Sequence, residues 1–236
     1  MNPPRAAESN RREEFRRRGF FLAREFCQIS PQMSQELSGI VERSASLERT
    51  TYVNGAKYVI SNQGACCRVE WIPFEAPSVR SFFTDAGVKS AAAEVTDVSE
   101  FDLIICQFNF RRPSDNVTYG WHRDTQEDKG SFRNLNGIDN SILLSIAVTE
   151  IPLSRAPLSV LPYSHLEKNR HLIAPENEAS VTTLPMRSGD ALFMHPALLH
   201  SSGQNRSSLF RGLLIGLLVP SHSYRRSKSF FSQIKA

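Results

Sequence analysis

Residues Phe101 to Asp124 read FDLIICQFNFRRPSDNVTYGWHRD, and the alternation of their side chains decides what fold to expect. An extended chain turns successive side chains to opposite faces. On that rule Ile104, Cys106, Phe108 and Phe110 share one apolar face. The other face begins with Phe101, Leu103 and Ile105, then turns polar at Gln107, Asn109 and Arg111. Three polar groups at one end of one face are what the mouth of a barrel presents, and a His-x-Asp pair, His122 and Asp124, follows shortly. A strand end fraying into solvent would give the same pattern, and periodicity leaves both readings open.

Working outward, the chain after residue 101 keeps one texture. Short segments rich in Ile, Leu, Val and Phe alternate with turn residues: SILLSIAV, PLSVLP, SVTTLP, DALFMH and SLFRGLLIGLLV. Such spacing is the signature of a β-sandwich or barrel. Before residue 101 the expectation is mainly helical. SPQMSQELSGIVERSAS has a Ser30-Pro31 start and an apolar stripe through Met33, Leu37, Ile40 and Val41. APSVRSFFTDAGVKSAAAEV is expected to form a second helix weakened at Gly87. Between them TTYVNGAKYVISNQG reads as a hairpin turning at Asn54-Gly55. The sum is an α+β chain, mainly β, with helices packed on a sheet. With no internal repeat, one domain over residues 1–236 is expected: a helix-rich region over residues 1–100, a strand-rich core over 101–220 and a basic tail over 221–236.

Composition narrows the function classes. Of 236 residues, 40% are hydrophobic and 22% charged, ordinary for a soluble protein. GLLIGLLVP, a prominent apolar run, is only strand-sized, and the polar start carries no apolar signal core, so a cytoplasmic protein without membrane contact is expected. Cys27, Cys66, Cys67 and Cys106 form no C-x-x-C pair and read as buried thiols. Net charge is +4, with basic residues gathered in RREEFRRR and YRRSKSFFSQIKA at the two ends. These read as a solvated helix face and a terminal tail, not as a nucleic-acid groove.

The His-x-Asp pair needs support from elsewhere in the chain. Chance alone predicts about 0.6 H-x-[DE] pairs in such a sequence, and it holds two, His122/Asp124 and His165/Glu167. Two histidines and one carboxylate on one face suit ferrous iron and leave positions open for other ligands. A second histidine and an anion-binding residue would then be wanted downstream. His200 and Arg211 offer both. Arg211 sits in the row Leu209, Arg211, Leu213, Ile215, Leu217, where a guanidinium among apolar residues demands an anion. A dicarboxylic co-substrate would match its fork, and an internal Asp or Glu is the alternative. His165 and Glu167, in LPYSHLEK, read as an exposed turn. His195, five residues before His200, is expected on the opposite face.

The order of these residues resembles the phytanoyl-CoA dioxygenase family of iron- and 2-oxoglutarate-dependent oxygenases. The likeness runs through REEFRRRGFFLAREF, CQFNFRRPSDNVTYGWHRD, APLSVLPYSHLEK and GDALFMHPALLHSSGQNRSSLFR, and so spans most of the chain. It implies a double-stranded β-helix (a cupin-like jelly roll) with flanking N-terminal helices. It further implies Fe(II) held by His122, Asp124 and His200, with 2-oxoglutarate and O2 as co-substrates. Arg211, helped by Ser202, would hold the far carboxylate of 2-oxoglutarate, with Gln107 and Asn109 touching it from the neighbouring strand. Arg111 and Trp121 are assigned to the substrate. Ala156-Pro157 and Tyr163 stand where the family often has glycines, and Ser145 where tryptophan is frequent, so an acyl-CoA substrate is not implied. Asp124 argues against a halogenase. The reaction expected is hydroxylation of a small-molecule metabolite with release of succinate and CO2. The alternatives are a nucleic-acid demethylase of the same chemistry and a non-catalytic jelly-roll binding protein.

Overall fold

The computed structural model describes residues 5–113, 115–124 and 140–221, and the side chains from residue 10 onward. Two antiparallel sheets face each other. The larger runs β1 (Phe20–Ala23), β10 (Ala191–Met194), β7 (Ile142–Ala147), β12 (Arg211–Pro220), β5 (Phe101–Arg111), β4 (Cys66–Glu70), β3 (Ala56–Ile60) and β2 (Thr51–Val53) in that spatial order. The smaller runs β6 (Tyr119–His122), β11 (His200–Ser202), β8 (Leu158–Val160) and β9 (Thr182–Leu184). This is the jelly-roll sandwich, and it agrees with the sequence reading of a mainly β protein.

Two cores divide the apolar residues. Helices α1 (Arg5–Arg18), α2 (Pro31–Ser44), α3 (Pro77–Thr84) and α4 (Ala86–Thr96) cover one face of the large sheet. Phe15, Leu37, Ile40, Val79 and Phe83 pack there with Phe108, Phe110 and Leu214. The contact is close at Gly216, where an added Cβ would lie 2.5 Å from the Phe83 ring. The other core lies between the sheets and holds Leu143, Leu158, Val160, Met194 and Leu217.

Local signals explain several elements. Ser30 caps α2 by accepting from Met33 N at 3.1 Å, and the stripe Met33, Leu37, Ile40, Val41 is buried as expected. Asn54 and Gly55 both take positive φ, 49° and 89°, which the tight β2–β3 turn requires. The expected second helix is two: Asp85 is extended and closes α3 while its side chain caps α4 at Gly87 N. The break therefore precedes Gly87. On α1, Arg11 and Arg12 pair with Glu94 and Asp97 at 3.2 and 2.9 Å, as befits a solvated face with acidic neighbours.

Other expectations need correction. The helix-rich region contributes four strands, β1 to β4, to the large sheet. The alternation of β5 slips at a bulge near Ile104, where the register with β12 shifts between Leu217 and Leu218. Ile104 consequently packs between the sheets, while Leu103 joins Cys106 and Phe108 against the helices. Leu209 is 58% exposed and does not belong to the buried row of Arg211. His165 is not on an exposed turn: it is 5% exposed, its Nε2 donates to Arg16 O at 3.0 Å, and its ring lies 5.1 Å from that of His195. The basic tail, apart from Ser221, lies outside the described residues.

Candidate metal and co-substrate site

The cross-strand register assembles the site. His200 on β11 is the direct partner of His122 on β6, so the two rings stand side by side with centroids 4.2 Å apart. Asp124 follows β6, tied by its backbone N–H to Pro196 O at 3.1 Å. Its carboxylate oxygens lie 3.9 Å from His122 Nε2 and 3.7 Å from His200 Nε2. One donor atom from each residue falls within 4.8 Å of the others, and no other group of three His, Cys, Asp or Glu with this compactness occurs among the described residues.

Backbone carbonyls orient both rings. His122 Nδ1 donates to Gly120 O at 2.7 Å and His200 Nδ1 to Leu198 O at 2.9 Å. Those bonds place the proton on Nδ1 and leave each Nε2 lone pair directed at the shared centre. Two imidazoles and one carboxylate on one side match a facial set for ferrous iron. His165 is buried and Glu167 exposed, and neither belongs to this cluster.

A cavity of about 430 Å³ opens beside this cluster, bounded by the inner face of the large sheet. Its wall follows the register. Glu70, Gln107, Ile215 and Ser145 form one row across β4, β5, β12 and β7, and Arg68, Asn109, Leu213 and Ala147 form the next. Gln107 and Asn109 therefore face the cavity as expected, which resolves the alternation of β5 in favour of a barrel mouth. Asn109 Oδ1 and Ser145 Oγ are buried there without a partner among the described residues. Arg68 and Glu70 were not foreseen. Arg68 Nη2 meets Glu70 Oε1 at 2.8 Å, and Lys57 reaches the other oxygen at 3.2 Å. Only the pairing of β4 with β5 brings them here.

Arg211 opens β12 on this inner face and is 2% exposed. Among the described residues its Nε and Nη2 have no hydrogen-bond partner, and no carboxylate pairs with it. Burial first, and the adjacent Arg111 second, push its pKa well below the ordinary guanidinium value. Among the described residues no acid is its partner, and a buried guanidinium so placed asks for an anion. Ser202 lines the same cavity. Arg111 and Trp121 fall elsewhere than their expected role implies. Arg111 is buried behind Ser202, and Trp121 is half-buried and not on the cavity wall.

A jelly roll carrying His122, Asp124 and His200 at its mouth, with an unpaired buried arginine across the cavity, has the architecture of the non-haem iron, 2-oxoglutarate-dependent oxygenases. The chain belongs to the phytanoyl-CoA dioxygenase (PhyH) family, whose profile matches residues 39–213. Among curated proteins it is similar to "Dioxygenase andF" of Emericella variicolor, 36% identical over 84 residues; that match covers 36% of this chain and 29% of the relative. Similar solved structures include the carbocyclase SnoK from nogalamycin biosynthesis (TM-score 0.71, 17% identity, 93% of this chain and 85% of that one). EctD from S. alaskensis with 2-oxoglutarate and 5-hydroxyectoine superposes with a TM-score of 0.72 at 15% identity, over 94% of this chain and 80% of its own.

Proposed function

We propose that this chain is an Fe(II)- and 2-oxoglutarate-dependent dioxygenase that hydroxylates a small-molecule metabolite, releasing succinate and CO2. The observation that carries the reading is the pairing of two features across one cavity: three converging donor atoms and a buried guanidinium with no counter-ion among the described residues. His122, Asp124 and His200 would hold the metal, and Arg211 with Ser202 the far carboxylate of the co-substrate. Together the bound metal and co-substrate supply oxygen activation coupled to oxidative decarboxylation. The chain's own role is positioning. Gly120 O and Leu198 O fix the imidazoles, Arg211 sets the reach of the dicarboxylate, and Leu158 and Met194 give the cavity an apolar wall.

The cavity volume suits a small ligand. The unpartnered Asn109 Oδ1 and Ser145 Oγ favour one with polar groups, and the dioxygenase and biosynthetic relatives favour secondary metabolism. Iron-loaded protein should release succinate from 2-oxoglutarate when a metabolite library presents a substrate. Asp124→Ala should abolish that release while folding normally. Full turnover in the variant would overturn the assignment.

A further inference from the structure

Arg111 and Arg211 are direct partners in the β5–β12 register, so a second buried guanidinium stands beside the one that lines the cavity, and no acid among the described residues pairs with either. Arg111 is 1% exposed. Its Nη1 donates to Gly203 O at 2.7 Å, its Nη2 to Ser202 Oγ at 2.7 Å, and its guanidinium lies 5.0 Å from the centre of the Tyr119 ring. All these partners come from the smaller sheet or the turn after β11, so Arg111 braces one sheet against the other.

The Ser202 contact has a polarity. A guanidinium only donates, so Ser202 Oγ must accept, and its own proton stays available. No acceptor for that proton occurs among the described residues, and Ser202 faces the cavity beside Arg211. From this geometry we infer that Arg111 is a positioning residue for the co-substrate. It sets Ser202 as a donor to the far carboxylate, and it supplies the second buried positive charge that makes the site selective for a dianion. The inference rests on the reading of the cavity as a 2-oxoglutarate site and gives Arg111 a role there in place of substrate contact.

The test uses anaerobic Fe(II)-loaded protein and two probes, 2-oxoglutarate and 2-oxobutyrate, which shares the chelating end but lacks the far carboxylate. Binding is followed by the metal-to-ligand absorption band and by calorimetry. Arg111→Met should weaken 2-oxoglutarate at least tenfold and leave 2-oxobutyrate within twofold of the parent protein. Ser202→Ala should show the same split. The double variant should bind no more than about threefold worse than the weaker single one, because both act through one hydroxyl. Should Arg111→Met fold poorly, Arg111→Lys and Ser202→Ala carry the comparison. Equal weakening of both probes would make Arg111 merely structural, and multiplicative losses in the double variant would separate it from Ser202; either result overturns the inference. If the parent protein forms no band with 2-oxoglutarate, the dioxygenase reading itself fails and the inference with it. A band lost in Arg211→Ala but not in Arg111→Met removes the inference alone.

Discussion

Arg211 carries a charge that burial resists and no carboxylate among the described residues offsets, so an anion entering the cavity would stabilise it. Deleting one member of a buried ion pair costs about 3–5 kcal/mol, or roughly two to three and a half orders of magnitude in affinity. Arg211→Ala should therefore weaken 2-oxoglutarate binding at least a hundredfold, read from the absorption band of the anaerobic complex. Arg211→Lys keeps the charge without the planar fork and should also bind more weakly, with the metal site still formed. An unchanged affinity in the alanine variant would mean another group holds the carboxylate. A second residue tests the backbone. Tyr163 has φ 67° and Ala156 φ 51°, so the left-handed conformation persists at these two positions although neither is glycine. That conformation costs about 1–2 kcal/mol for a residue bearing a Cβ. Tyr163 is exposed and gives up little packing, so Tyr163→Gly should raise the unfolding midpoint by a few degrees in a thermal melt. A lowered midpoint would show that its ring contributes more than the strain costs.

Elements are tied together by groups whose charge matters. Asp190, just before β10, is enclosed, and burial alone would push its carboxyl up. Backbone N–H groups of Glu25 and Arg187 at 2.9 and 2.8 Å, and the Arg24 guanidinium at 2.6 Å, outweigh burial and hold it below its ordinary value. A depressed folded pKa contributes stability above the unfolded value, about 3.9, and loses it as pH falls through the folded one. Asp190→Asn should destabilise the fold at neutral pH and flatten the loss of stability below about pH 4; denaturant midpoints across pH measure both. A midpoint difference independent of pH would rule out the ionised role. The elements also show what a sequence discloses. Ser30 with its stripe, and Asn54-Gly55, were legible because caps and turns are local. Asp85 was overshadowed by Gly87, since one residue serving as both a stop and a start has no composition signal of its own. Cys66 to Glu70 has no clean alternation around the bulge opposite Ile60, and only pairing with β3 and β5 makes it a strand. Arg68 and Glu70 were therefore missed. His165 looked exposed because the contacts that bury it, Gly19 and Arg16 O, lie far away in sequence.

In the whole molecule the candidate ligands bridge the two sheets. His122 and His200 stand on the smaller sheet and Arg211 on the larger, so a metal-chelating dicarboxylate would span the cavity between them. Anything that binds only the folded state adds RT ln(1 + [L]/Kd), about 2.7 kcal/mol at a hundredfold excess over Kd. For a chain of this size that corresponds to a rise of roughly 5–10 °C in the unfolding midpoint. The predicted order in a thermal melt is thus metal-free lowest, Fe(II)-loaded higher, and Fe(II) with 2-oxoglutarate highest under anaerobic conditions. Chelation should reverse the gain. Asp124→Ala removes a partly exposed carboxylate that faces two imidazoles, so the metal-free midpoint should stay near the parent's while both increments shrink. 2-Oxoglutarate without metal should add little, because only its far carboxylate would then be held, by Arg211 and Ser202, and its chelating end would be free. A full stabilising shift from 2-oxoglutarate in the chelated protein would instead mean that the dicarboxylate binds without the metal. The two features across the cavity would then be separate sites.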